Sequence, residues 1–225
     1  IQIFGFGEKK AVHFYERDCS IQRRFQKIIE ESPAPKVDPE IINKIAESAV
    51  NFATNQKYEG AGTIEFIYDV DEKKFYFLEM NTRIQVEHPV TESITNSDLV
   101  EMQIKFALGI DTNLTEQNKI NRTGHAIECR LYAEDPSKNF LPSPGKISKL
   151  KIPNTNLANI RLDIGVDEGD EISFYYDPMI AKIIAKGSTR VESIKNMLQY
   201  LKEFEIEGIN TNKSFLISVL QNKNF

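Results

Sequence analysis

The sequence predicts an α+β protein of two units, with mainly antiparallel sheets and helices packed on them. Three observations carry this reading. Segments of period-2 alternation recur along the chain, and two pairs of them are separated by only a few polar residues. Apolar residues at helical spacing fall at 39–56, 97–108, 189–201 and 212–221. A polar stretch, TEQNKINR (115–122), reads as a linker and divides the chain into 1–118 and 119–225.

The elements follow in order. Residues 1–16 read as a hairpin, IQIFGF and AVHFYE around the turn GEKK. CSIQRRFQKIIEESPAPK (19–36) mixes a basic cluster, an acidic pair and two prolines, and reads as a loop-rich crossing. Asp38 and Pro39 fit an N-cap followed by a helix-starting proline. Ile41, Ile42, Ile45, Ala49, Phe52 and Ala53 then recur at helical spacing over 39–56. GAG (60–62) closes the connection. TIEFIYD and KFYFLEM form two strands around VDEK. A helix over 97–108 stops at Gly109. Beyond the linker, GHAIECRLYAED, KISKLKI, IRLDIGV and MIAKIIAKG read as strands. Thr189 and Glu192 form a capping box for a helix carrying Val191, Ile194, Leu198 and Leu201 on one face. A last helix covers 212–221.

Bulk properties exclude several classes. The chain has 225 residues, 40% of them apolar and 27% charged, with a net charge of −5. This fits a globular protein with a real core and gives no support to nucleic-acid binding. Apolar runs are too short for a membrane span. Cys19 and Cys129 read as reduced thiols of a cytoplasmic protein. The chain opens inside an alternating segment without an initiator methionine, so a piece of a longer protein is expected.

The stretch FLEMNTRIQVEHP (77–89) sets a chemical problem. Glu79, Asn81, Arg83, Gln85 and Glu87 occupy every second position. A hairpin centred on Glu72 places Glu65 directly opposite Glu79, with Ile64, Phe66, Leu78 and Met80 covering the other face. Facing carboxylates repel unless a cation sits between them. Oxygen ligands suit Mg²⁺, and Asn81 adds a third oxygen. From spacing alone, a metal site and a solvated acidic face are equally open. Arg83 has the fork geometry for a planar oxyanion, and a carboxylate beside it is placed to act as a base. His88 reads as structural.

These residues carry a resemblance. FLEMNTRIQVEHPVTE, ERDCSIQRRFQKIIEESPAP, GAGTIEF, GHAIECRLYAEDP, FLPSPGKI, YYDPMIAKII and EGINTN resemble, colinearly and over nearly the whole chain, the biotin carboxylases. These are ATP-grasp enzymes of acetyl-CoA, propionyl-CoA, methylcrotonyl-CoA and pyruvate carboxylases. The implied architecture is the second lobe of an ATP-grasp domain (1–118) followed by a biotin carboxylase C-terminal domain (119–225). The implied chemistry uses ATP to turn bicarbonate into carboxyphosphate, whose CO₂ is captured by biotin. By the same resemblance, Glu65, Glu79 and Asn81 hold Mg²⁺ (or Mn²⁺) on the ATP phosphates. Lys27 lies beside bicarbonate and the transferring phosphate. Arg83, Gln85 and the Val86 backbone cradle bicarbonate, Glu87 is its base, and Arg130 stabilises the biotin enolate. Gln22 lies on the ribose side, and Arg161 is a candidate homodimer contact. Arg23 and Arg24 read as structural partners of nearby acids.

Two departures from the family pattern stand out. Phe25 replaces the histidine of RRHQK, which removes a hydrogen-bond donor near the nucleotide. No Gly-rich lid run and no MKM biotin-acceptor motif occur in the sequence. The expected partners are therefore a separate biotin carboxyl carrier protein and carboxyltransferase subunits, with acetyl-CoA carboxylase and fatty acid synthesis first and pyruvate or propionyl-CoA carboxylase second. An ATP-grasp ligase with another acceptor, such as one making carbamoyl phosphate, and a non-catalytic dimerisation module remain as alternatives.

Overall fold

A computed structural model describes residues 1–8, 10–153 and 159–225. Lys9, in the turn expected at 7–10, lies outside the described residues. The strands are β1 (Gln2–Phe6), β2 (Ala11–His13), β3 (Asp18–Arg23), β4 (Gln26–Ser32), β5 (Glu59–Asp69), β6 (Lys74–Asn81) and β7 (His125–Tyr132). Then come β8 (Glu134–Asp135), β9 (Leu141–Pro142), β10 (Gly145–Lys146), β11 (Lys149–Lys151), β12 (Ile160–Ile164), β13 (Glu171–Ile172), β14 (Met179–Gly187) and β15 (Glu205–Glu207). The helices are α1 (Pro39–Asn55), α2 (His88–Thr95), α3 (Leu99–Ala107), α4 (Arg190–Glu203) and α5 (Lys213–Leu220).

The chain forms two compact units, and they are not contiguous halves. The first is Ile1–Asp18 with Glu31–Thr123; the second is Cys19–Glu30 with Gly124–Phe225. The passage into the second unit falls at Thr123–Gly124. The polar stretch 115–122 belongs to the first unit because Ile120 is buried there and its carbonyl accepts from the Tyr15 hydroxyl at 2.9 Å.

The first unit is built on an antiparallel sheet in the order β2-β1-β5-β6. On one face, Ile45, Ala46, Ala49 and Ala53 of α1 pack on Ile1, Ile3 and Ile64. Asp38 caps α1 as expected, its side chain accepting from Glu40 N at 2.8 Å with Pro39 in the first turn. On the other face, Phe4, Val12, Phe14 and Ala61 pack with Leu99 and Met102 of α3. Gly5 is required by a close approach: a Cβ there would meet the Tyr58 carbonyl oxygen at 2.1 Å. The GAG of 60–62 lies inside β5 and does not end a loop. The helix expected over 97–108 is α3, capped by Asp98. Ahead of it lies α2, which the periodicity did not predict.

The second unit is built on a five-stranded sheet, β12-β14-β7-β4-β3. Ile127, Cys129, Leu131 and Ile183 of the sheet pack with Met197 and Leu201 of α4 and with Leu216 of α5. Residues 19–36 are not a loop-rich crossing; most of them form the hairpin β3–β4. Its two-residue turn is Arg24 (φ 50°) and Phe25 (φ 65°), both left-handed. That is the mirror-image turn that matches strand twist, made here without the usual Gly or Asn. Thr189 caps α4, accepting from Glu192 N at 3.2 Å, while Glu192 Oε2 accepts from Ser188 N at 2.8 Å. The buried face of α4 is Ser193, Met197, Tyr200 and Leu201. Val191, expected on that face, is 77% exposed. KISKLKI is divided between β10 and β11 around buried Ile147.

Candidate functional site

The carboxylate pair forms as the hairpin register requires. Thr63 pairs with Asn81, Ile64 with Met80, and Glu65 with Glu79. The register then shifts between Glu65 and Phe66, so that Phe66 pairs with Phe77. Leu78 is the extra residue. This bulge is why Leu78 is 53% exposed and does not cover the core face with Ile64, Phe66 and Met80.

Both carboxylates converge on one amide. Asn81 Nδ2 donates to Glu65 Oε1 at 3.2 Å and to Glu79 Oε1 at 3.0 Å. Arg83 Nη2 donates to Asn81 Oδ1 at 3.2 Å, and Arg83 Nη1 to the Ile84 carbonyl at 3.2 Å. β6 ends at Asn81, so the period-2 track does not continue as a strand through Arg83, Gln85 and Glu87. Arg83 is exposed, Val86 half-buried, and Gln85 and Glu87 are buried. Gln85 folds back to Glu65, its Nε2 donating to Glu65 Oε1 at 2.8 Å. Glu87 occupies the N-cap position of α2, with Pro89 in the first turn. The ring of His88 contacts the Gln85 carbonyl through Nδ1 at 2.9 Å and lies 3.7 Å from Glu92, which is a structural setting.

Sequence reasoning missed Arg17. Its Nη1 donates to Gln2 Oε1 (2.9 Å) and Thr91 Oγ1 (2.8 Å), and its Nη2 to Thr63 Oγ1 (3.1 Å) and Gln85 Oε1 (2.8 Å). Arg122 Nη1 donates to both oxygens of buried Glu16, the residue before Arg17, at 2.9 Å. Burial pushes His13 from its ordinary value down to about 4, against the pull of Glu16.

The second unit holds the remaining predicted residues. Arg130, on β7, is buried and donates from Nε to Glu30 Oε1 at 2.7 Å, with Nη2 on the same oxygen at 2.5 Å. Lys182 stands opposite Arg130 across β14–β7. Lys27, on β4, is half-buried, and Gln22 is exposed with its amide on the Cys19 carbonyl at 2.8 Å. Phe25 is 98% exposed at the hairpin tip. Arg23 pairs with Glu134 and lies 5.0 Å from the Phe140 ring centroid, which fits the structural role expected of it. Burial pushes the Glu134 carboxyl up, and Arg23 only partly offsets this. Arg24 donates to the Asn139 carbonyl at 3.3 Å, and its charge also acts on the Glu134 carboxylate. Arg161 is bidentate on Asp163 of its own strand, at 2.8 and 3.0 Å. Neither Cys19 nor Cys129 is in a disulfide among the described residues; burial raises the Cys129 pKa well above its ordinary value, with Glu30 and Glu128 adding to it.

The donor set of the first unit fits a hard divalent cation. Two carboxylates point at one donor, and turning the Asn81 amide over replaces that donor with an oxygen. One or two carboxylates with phosphate and water completing the shell is the Mg²⁺ pattern. Among the described residues no group of three or more His, Cys, Asp or Glu could hold a metal ion by itself. No helix of the described residues is long and apolar enough to cross a membrane.

Comparison with known proteins gives two family matches. Residues 1–115 match the carbamoyl-phosphate synthase L chain ATP-binding domain, and residues 128–225 match the biotin carboxylase C-terminal domain. The chain is 50% identical over its whole length to biotin carboxylase 1 of Bacillus subtilis, covering 49% of that protein. It is 48% identical over 217 residues to the mouse mitochondrial methylcrotonoyl-CoA carboxylase subunit alpha, covering 96% of this chain and 30% of that one. Among solved structures, the biotin carboxylase domain dimer of Hydrogenobacter thermophilus 2-oxoglutarate carboxylase, in complex with MgADP, ADP and bicarbonate, superposes with a TM-score of 0.94 at 41% identity. The match covers all of this chain and 49% of that one. The chain thus spans about half the length of the first of these relatives and less than a third of the second.

Proposed function

The chain belongs to the biotin carboxylase family, and on that premise we propose that it carries the metal, bicarbonate and biotin side chains of an ATP-dependent biotin carboxylase. The overall reaction makes a C–N bond on the biotin of a carrier protein, at the expense of ATP and bicarbonate. The observation that carries the reading is the direct pairing of Glu65 with Glu79, with Asn81 donating to both carboxylates and Gln85 to the same Glu65 oxygen.

Each residue then has a physical task. Glu65, Glu79 and Asn81 hold Mg²⁺ (or Mn²⁺), which neutralises charge on the ATP phosphates. Lys27 supplies a fixed positive charge to the transferring phosphate, worth most in the transition state, where charge is redistributed. Arg83, Gln85 and the Val86 N–H bind the bicarbonate oxygens, and Glu87 takes the bicarbonate proton. Arg130 stabilises negative charge on the biotin ureido oxygen; Glu30 fixes where its guanidinium sits. Gln22 is assigned to the ribose side of the nucleotide. Phe25, an apolar ring at the tip of a hairpin, offers no hydrogen bond to a nucleotide. The two-domain division into an ATP-grasp part and a biotin carboxylase C-terminal part belongs to the same proposal.

The proposed partners are a biotin carboxyl carrier protein, carboxyltransferase subunits and a second copy of the protein, with Arg161 near the dimer contact. Acetyl-CoA carboxylase, feeding fatty acid synthesis in the cytoplasm, is the proposed setting. The test is ATP hydrolysis by the full-length protein. It should require bicarbonate and Mg²⁺, and free biotin should accelerate it. Hydrolysis indifferent to bicarbonate would reject the reading. Formation of carbamoyl phosphate from ammonia would replace it with the ligase alternative.

A further inference from the structure

We infer that Arg17 is a positioning residue for this site: its fork sets the direction of the Gln85 amide, and through that amide the seating of Glu65. What the site does rests on the biotin carboxylase reading; the geometry does not. A guanidinium has five N–H donors in a fixed plane. Four of them, those on Nη1 and Nη2, go to Gln2, Thr91, Thr63 and Gln85. The acceptors come from β1, β5, the segment after β6, and α2. The fifth donor, on Nε, is buried with no partner among the described residues.

The consequence for Gln85 is one of direction. An amide presents an acceptor at one end and donors at the other. Because Arg17 offers only donors, the Gln85 oxygen must face it. The Gln85 nitrogen then faces Glu65 Oε1, at 2.8 Å. Gln85 is 4% exposed, so no bulk water is present to accept the reverse orientation. Lysine at position 17 keeps the charge but not the plane, and three rotating donors do not hold four acceptors on separate segments.

A double-mutant cycle in the full-length enzyme tests this. Arg17→Lys is expected to lower kcat/KM for bicarbonate in ATP hydrolysis about tenfold, with KM for ATP within about twofold. In a Gln85→Ala background the same change should cost less than about twofold, because the amide it orients is gone. Equal effects in both backgrounds would overturn the proposal. If Arg17→Lys does not fold, Thr91→Val takes its place. It removes one acceptor of the fork, and its effect of about threefold should likewise vanish in Gln85→Ala. A crystal structure of the folded variant decides the geometry independently of activity. Gln85 Nε2 turned from Glu65 Oε1 supports the inference, and the contact intact at about 2.8 Å rejects it. Wild-type protein without bicarbonate-dependent hydrolysis would reject the functional reading alone and leave the inference to the crystal structure.

Discussion

Glu79→Gln separates the two consequences of one carboxylate. In the apo protein it removes a repulsion. Glu65 and Glu79 both accept from Asn81 Nδ2, at 3.2 and 3.0 Å. The facing oxygens are therefore no more than about 6 Å apart, and like charges at that separation repel by about 0.7 kcal/mol at the dielectric of water and about 3 kcal/mol at an effective value of 20. Glu79 is exposed, so the lower figure applies. Glutamine keeps an oxygen to accept from Asn81. Unfolding free energy should rise by up to about 1 kcal/mol, or stay unchanged. In the loaded enzyme the change removes a charge from a divalent ion. A carboxylate about 2.1 Å from a +2 charge is worth about 4 kcal/mol even at the dielectric of water, which is about a thousandfold. Bicarbonate-dependent ATP hydrolysis by the full-length variant should fall by about that factor at saturating Mg²⁺, with chemical denaturation run alongside. Activity within about tenfold of wild type would refute the metal assignment. A loss of activity accompanied by about 2 kcal/mol or more of destabilisation would refute the account of the pair as mutually repelling.

Three further outcomes are expected. Lys27→Gln should lower kcat about a hundredfold or more while KM for ATP moves less than about threefold, because a charge that acts in the transition state is lost from kcat; steady-state kinetics showing the reverse split would make Lys27 a binding residue. His13, held at about 4 against 6.5 when unfolded, binds its proton more tightly in the unfolded chain, so stability should fall by about 3 kcal/mol between pH 7 and pH 4; urea titrations of His13→Gln at both pH values should lack that component, and an equal loss in both proteins would count against it. Calorimetric titration of the 225-residue chain with Mg-ATP should show binding weaker than about micromolar, since the chain spans about half of the first relative's length; tight binding would mean that this half holds most of the nucleotide contacts.

What the sequence shows and hides follows from the range of each interaction. The Glu65–Glu79 register was legible because a short polar loop and period-2 alternation determine it locally. The bulge after Glu65 was not, because Leu78 reads as one more apolar strand residue. The β3–β4 hairpin was hidden by its turn: Arg24 and Phe25 adopt left-handed conformations that neither residue type signals. α2 has only eight residues and begins at His88, with proline next, too short for a periodic pattern. Arg17 was invisible for a different reason. Its acceptors Gln2, Thr63, Gln85 and Thr91 are ordinary polar residues, and only the fold brings them to one guanidinium. A basic residue between two strands was the one available signal, and it names no partner.

The burial pattern adds an argument that does not depend on resemblance. Gln85 is 4% exposed and Glu87 2%, on a segment that has left the sheet and has not yet entered the helix. Burying such groups costs free energy that satisfied hydrogen bonds only offset, and apolar residues there would pack at lower cost. A fold selected for stability alone has no reason to end a strand on an acid and an amide, facing a second acid across the hairpin, and to follow them with a guanidinium, a buried amide and a buried acid. A fold that must hold a cation and a planar anion beside each other does, because those ligands need both signs of charge placed in advance and kept from reorganising. Arg17 serves that requirement: it places no charge on a ligand, and it removes the freedom of the amide that does touch Glu65.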